Sequence, residues 1–533
     1  MRTILAFAAR ANRTSVLGMA AALALLPTPA MPQGRPASTN RIDVASLPLV
    51  GTVDARFQSY NVEMAEVTGG QFWKPYPPAA AGALPSTGTT PFEYRAPIDL
   101  ANARLRKLAR ALGPAYLRVS GTWANTIYFP DEQDDAVSSP PPGFKSVLHR
   151  AQWQGVIDFA RATDAKIVTS FAIGDGARDK GGVWTTDQAA RWVQFTRSLG
   201  GEIAAAEFMN EPSLAGIGGA PKGYTAADYG RDFRIFVAFV RSTLPHMAIL
   251  GPGSVTEVPA PWGIPPLPGS IPSAALLAAT GPGIDAFSYH HYGAASLRCA
   301  AMHMPQTSAA DALSEEWLAR ASLTRAFYAD LRDRYTPGKP LWMTEGADAA
   351  CGGNPWSGTF RDSFRYLDQL GRLAREGVEV SMHNTLAAGS YSLLDQETLS
   401  PKANYWSALL WHRLMGSNVL DAGLAPTNGL HLYAHCLPGK AGGVTLLAIN
   451  NGKTARQIRM PRQSLRYTLS SPGPASASVK LNGRLLELGA NDTLPDLAAT
   501  TQRAGAVTLA PETITFLAVP SGGNAACNGV PAF

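Results

Sequence analysis

Two glutamates stand out by what surrounds them. Glu211 follows the apolar run Ala204-Ala205-Ala206-Glu207-Phe208-Met209-Asn210 and precedes Pro212. Glu345 closes Pro340-Leu341-Trp342-Met343-Thr344 and precedes Gly346. Each run reads as a short strand ending at its glutamate, and Pro212, which cannot donate to a sheet ladder, marks the first exit. Two carboxyls aimed from strand ends into one cavity are what cleavage of a glycosidic bond requires. One keeps its proton for the leaving oxygen and the other, ionised, attacks the sugar carbon; a gap of about 5 Å retains configuration, and ~6.5–9.5 Å admits a water and inverts it. Asn210, a neutral amide beside the first acid, suits the sugar's 2-hydroxyl. That assigns Glu211 as acid/base and Glu345 as nucleophile, with mutual repulsion splitting their pKa values. Tyr289-His290-His291-Tyr292 adds His290 and Tyr292 to orient the nucleophile and line the pocket. Adjacent strand histidines point to opposite faces, and no further His, Cys or Asp set has ligand spacing, so no metal is expected. Neither a nucleophile elbow nor a phosphate-cradling glycine loop is present, so no organic cofactor is expected.

These residues need a scaffold. Eight apolar runs ending in polar residues recur at 57–63, 115–120, 166–173, 204–211, 247–251, 284–291, 340–345 and 378–385. Segments with helical spacing lie between them at 102–112, 153–163, 186–199, 226–243, 309–335 and 359–376. This alternation predicts a (β/α)8 barrel over 57–400, with the tips of strands four and seven facing each other across its mouth. Long loops rich in Pro and Gly, from Phe72 to Pro91, Asp131 to Gly143 and Val258 to Pro272, shape the cleft. The first of them is expected to wall off one end. After a last helix at 405–414 the pattern switches to short alternating runs separated by turns such as Asn450-Asn451-Gly452 and Leu481-Asn482-Gly483. An antiparallel β-sandwich over 401–533 is expected, joined by a strand from 37–56.

The chain has 533 residues, 46% hydrophobic and 16% charged, enough for two or three domains with large cores. A net charge of +6 spread over this length is no nucleic-acid signature. Arg2, Arg10 and Arg13 precede an apolar stretch, Val16 to Leu26, followed by Pro27-Thr28-Pro29-Ala30. At about 11 residues it is too short to span a bilayer and has the layout of a secretory signal, so residues 1–36 are expected to direct export, with no membrane insertion. In an oxidising compartment four cysteines allow three pairings, and their positions suggest Cys299–Cys351 and Cys436–Cys527.

The Asn-Glu-Pro on strand four, the strand-seven glutamate and the His-x-Tyr on strand six resemble the clan A retaining glycosidases. Gly113-Pro114-Ala115-Tyr116-Leu117-Arg118-Val119-Ser120-Gly121-Thr122 narrows the resemblance to glycoside hydrolase family 79, the heparanases and bacterial β-glucuronidases. So do Gly377 to Asn384 with Ser390-Tyr391-Ser392-Leu393-Leu394-Asp395, Asn404-Tyr405-Trp406, and Phe57 to Met64. The resemblance spans roughly 50–420 and, more weakly, the sandwich. It implies a barrel that releases β-linked glucuronic acid from glycans with retention. It further implies that Gly352, Gly353 and Tyr391 hold the uronate carboxylate, that Glu63 contacts sugar hydroxyls, and that Thr122 and Asn384 make weaker contacts. It also supports Cys436–Cys527. Cys351, where the mammalian family members differ, is the departure. An endo-acting heparanase-like hydrolase is the alternative within the family; a glycan-binding protein without activity is the alternative outside it.

Overall fold

The apolar runs close a barrel. In the computed structural model, which describes residues 40–77, 90–133, 136–258, 267–427 and 429–529, its strands are Gln58–Glu63, Ala115–Ser120, Ala165–Ser170, Ile203–Glu207, Ala248–Ser254, Ala286–Ala295, Leu341–Ala350 and Val378–His383. Each pairs in parallel with the next, and the eighth pairs with the first. The export segment expected over 1–36 lies outside the described residues, as do 78–89, 134–135 and 259–266 of the three long loops. The expected wall role of the Phe72–Pro91 loop therefore falls largely outside them as well.

Strands packed on both faces carry apolar residues throughout, and every residue of Ala115–Ser120 is buried. The helices outside are held by their own termini and stripes. Ala226–Thr243 starts at Thr225, whose hydroxyl accepts from Asp228 N at 3.2 Å while Thr225 N donates to the Asp228 carboxylate at 3.0 Å. Its buried stripe is Tyr229, Phe233, Phe236 and Val240. The helix expected from 309 begins at Glu315, because Ser314 caps it and accepts from Trp317 N. Between strands five and six runs a helix absent from the sequence reading, Ser273–Thr280; its run of Ala, Leu and Ser has no polar face to betray a helical period. Part of the loop expected from Phe72 is a hairpin, Gly70–Trp73 against Phe92–Arg95.

The C-terminal region is a sandwich on the barrel's flank. Its larger sheet is antiparallel and includes His431–Cys436, Val444–Asn450, Ser464–Ser470 and Thr513–Val519, with Leu49–Thr52 added from the N-terminal side. Along Val444–Asn450 the faces alternate: Val444, Leu446 and Ala448 join the sandwich core, while Leu447 and Ile449 join the barrel's. Both disulfides form as expected, Cys299–Cys351 and Cys436–Cys527. Among the described residues no helix is long and apolar enough to cross a membrane.

Candidate active site

A charged cluster lies under the C-terminal mouth of the barrel. At its centre Arg118, from the middle of strand two, is 1% exposed. Its Nη1 donates to Glu345 Oε2 at 2.8 Å, and its Nη2 donates to Glu207 Oε2 at 2.8 Å and to Asn210 Oδ1 at 2.7 Å. A guanidinium sealed among carboxylates stays charged, and it fixes the carboxylates around it. Sequence reasoning passed over Arg118 and Glu207 as site residues. Their signal was a charge in the interior of an otherwise apolar barrel strand, which must either pair or fail to fold.

The fourth strand stops at Glu207, four residues before the expected tip. Beyond it the backbone turns to side chains: Asn210 N donates to Asn125 Oδ1 at 2.8 Å and Asn125 Nδ2 returns to Asn210 O at 2.9 Å. Glu211 itself adopts φ 48°, ψ 60°, a left-handed conformation that costs a non-glycine residue about 1–2 kcal/mol. Pro212 then opens a short 3-10 turn. Glu345 does not end strand seven either. The strand runs on to Ala350, and the pairing slips on both sides of Glu345, between Tyr289 and His290 on one neighbour and between Met343 and Gly346 on the other. A bulge re-aims a side chain without ending a strand.

Glu211, His290 and Glu345 converge, each with an atom within 4.8 Å of the others. His290 Nδ1 meets Glu211 Oε1 at 3.0 Å, and Tyr292 donates its hydroxyl to Glu345 Oε1 at 2.6 Å. The two acids are driven apart. Burial, reinforced by the Glu345 charge, raises Glu211 above the usual carboxylate range. Burial acts on Glu345 too, but His290, Arg118 and the Tyr292 hydroxyl overcome it and hold Glu345 below that range. His290 is lifted as well, because Glu345 and Glu211 outweigh its burial. Arg118 Nη2 lies 3.2 Å from His290 Nε2, so Nδ1 is the nitrogen that offers a proton to Glu211. His291, the next residue, faces away and meets Thr324 Oγ1 at 2.9 Å. A cation among Glu211, His290 and Glu345 would have to displace the Arg118 contact to Glu345, so this donor set suits a proton better than a metal.

Above the acids lies a cavity of about 210 Å³. Glu63, Thr122, Tyr292, Asn384 and Tyr391 line it with the two acids. Asn384 Nδ2 is the hub of one wall, within 3.1 Å of Glu63 Oε1, 2.9 Å of the Tyr292 hydroxyl and 3.2 Å of the Tyr391 hydroxyl. Glu63 Oε2 is buried with no protein partner among the described residues. Gly121, at φ 94°, leaves room for it: a Cβ there would sit 1.7 Å from Oε2. Burial and the Glu345 charge push Glu63 far up, toward its neutral form. Trp73 and Trp123, two aromatic residues unassigned by sequence, also line it.

Four expected residues are off the cavity wall, and His290 is one of them, sealed beneath the two acids. Gly352 and Gly353 are not on the cavity wall; Cys351 is. Gly353 N already donates to Ala349 O at 3.2 Å, and the two glycines are packed against Trp73 and Tyr391, where a Cβ would come within 2.4 Å and 3.1 Å. Their positive φ turns the chain behind the pocket. Asn210 also lies behind the wall, with its side-chain Oδ1 taken by Arg118.

No family model matches the chain. Heparanase-like protein 1 of Arabidopsis thaliana is 31% identical over 373 residues, which are 66% of this chain and 65% of that protein. Heparanase of Mus musculus is 28% identical over 497 residues, 80% of this chain and 88% of that one. A solved 4-O-α-L-rhamnosyl-β-D-glucuronidase from Fusarium oxysporum matches in fold, with a TM-score of 0.59 over 90% of this chain and 100% of that chain at 15% identity. These matches show that the chain is similar to heparanase-like proteins over about two thirds or more of their length and shares the barrel-and-sandwich fold of a solved glucuronidase.

Proposed function

We propose that the chain is an exported retaining glycoside hydrolase that releases β-linked glucuronic acid from glycans. The observation that carries this reading is the opposed pair in one cavity: Glu211 raised toward its acid form and Glu345 held ionised, with an oxygen of each within 4.8 Å of the other. That separation favours direct attack over a water-filled gap. In the first step Glu345 attacks the anomeric carbon and forms a covalent ester as Glu211 gives its proton to the departing oxygen. In the second, Glu211 takes a proton from water, which attacks the same carbon and frees Glu345. Burial and the Glu345 charge keep Glu211 toward its acid form, His290 and Arg118 keep Glu345 ionised, and Tyr292 orients the nucleophile. Similarity to heparanase-like proteins supports glucuronate as the sugar. Its carboxylate has the Tyr391 hydroxyl on the wall built around Asn384, while Glu63 faces the ring hydroxyls. Paired cysteines support export. The test is hydrolysis of an aryl β-D-glucuronide by the purified protein and its Glu345→Gln variant. Turnover lost by about 10³-fold or more in the variant is expected; undiminished turnover would remove Glu345 from the chemistry.

A further inference from the structure

The side of the cavity that receives the leaving group is the side from which the acid works. Glu211 is carried by the loop after strand four, and the adjoining wall comes from that loop and from the one after strand five. Those loops place Leu214, Ile217, Val255 and Leu267 on the lining, with Gly218 and the Thr256 hydroxyl the exceptions to an otherwise aliphatic surface. No Lys or Arg lines the cavity among the described residues. The strand-five loop does hold Glu257, but its carboxylate is taken by Ser273 N at 2.6 Å and the Ser273 hydroxyl. The opposite wall is polar, with Glu63, Asn384, Tyr292 and Tyr391. The cavity thus joins a hydrogen-bonded polar cluster built on Asn384 to a mainly aliphatic surface from the loops after strands four and five.

We infer that the site selects β-glucuronides whose leaving group is uncharged and presents an apolar face over those whose leaving group is sulfated. The inference rests on the glucuronidase reading and adds the aglycone class to it. A sulfate on that side would lose hydration against aliphatic side chains and find no cation to replace it, whereas an aromatic ring loses little water and gains contact. Ile217 is the residue to alter, because it is 59% exposed and forms the outer edge of that wall.

The experiment compares kcat/KM for phenyl β-D-glucuronide and 4-sulfophenyl β-D-glucuronide, in the wild type and in Ile217→Lys. The sulfonate makes the phenol the better leaving group, so slower turnover of that substrate reports on recognition and not on bond cleavage. The wild type is expected to prefer the phenyl substrate by about tenfold or more, and Ile217→Lys to shift the ratio toward the sulfonated one by a similar factor. An unchanged melting temperature in the variant, read alongside, supports assigning that shift to the wall. Equal or faster turnover of the sulfonated substrate by the wild type overturns the inference and leaves the glucuronidase reading standing. A ratio that Ile217→Lys does not move also overturns it. No turnover of either substrate overturns both.

Discussion

Arg118 is the residue on which the site's charge states depend. It pairs with Glu207 and Glu345 and accepts no competition from solvent. Arg118→Ala would leave two buried carboxylates uncompensated, a change that costs about 3–5 kcal/mol of stability. It would also raise Glu345, so the acidic limb of the activity profile should move to higher pH; thermal unfolding and a kcat/KM profile read the two effects separately. In the wild type, activity should fall at low pH as Glu345 takes a proton and at high pH as Glu211 loses one, and the raised Glu211 carries the alkaline limb above the usual carboxylate range. Glu211, Glu345, His290 and Tyr292 were legible in sequence because each sits beside a recognisable stop or motif. Arg118 and Glu207 were not, because a charge inside an apolar run looks like an exception until the partner across the barrel is known. Gly352 and Gly353 are the converse case: glycines signal a close approach but not what approaches, and a Cβ there would meet Trp73, Ser357 and Tyr391.

At the scale of elements, the strand and helix order was legible and the ends were not. Strand four stops early because Asn125 takes over its backbone groups, and strand seven runs on past Glu345 because a bulge, unlike a proline, leaves the ladder intact. A second cluster ties helices to the sandwich. His431, on a sandwich strand, contacts Asp368 on the helix after strand seven and Glu315 on the helix after strand six, the latter at 2.9 Å. Burial alone would lower His431, but Asp368 and Glu315 lift it from 6.5 to about 9. A histidine raised on folding stabilises fully below its unfolded value and loses that contribution as pH climbs through its folded one. Stability should therefore decline between pH 6.5 and about 9 by something on the order of 3 kcal/mol, and His431→Gln should flatten that decline. Denaturant unfolding at pH 6 and pH 10 in both proteins measures it; an equal slope in the two would disconnect His431 from the effect.

Across the whole molecule the barrel and sandwich share a core. The switch from a helical to an alternating pattern announced the second architecture, but a period of two cannot say that both faces of Val444–Asn450 are covered. The disulfides divide the labour. Cys436–Cys527 closes a span of 91 residues within the sandwich, far from the pocket lining, while Cys351 of the other bridge is part of that lining. The double variant Cys436→Ser, Cys527→Ser should lose about 2–5 kcal/mol of stability and keep its kcat, whereas Cys299→Ser, Cys351→Ser should raise KM. A melting curve and a Michaelis plot for each variant check this. The most direct test of the account as a whole is to trap the reaction midway with a 2-fluoro β-glucuronyl fluoride and map the modified peptide by mass spectrometry. A single glucuronyl ester on Glu345, formed as activity disappears, is the predicted result. An ester on any other residue, or rapid turnover of aryl β-glucuronides with inverted product and no ester, would contradict it.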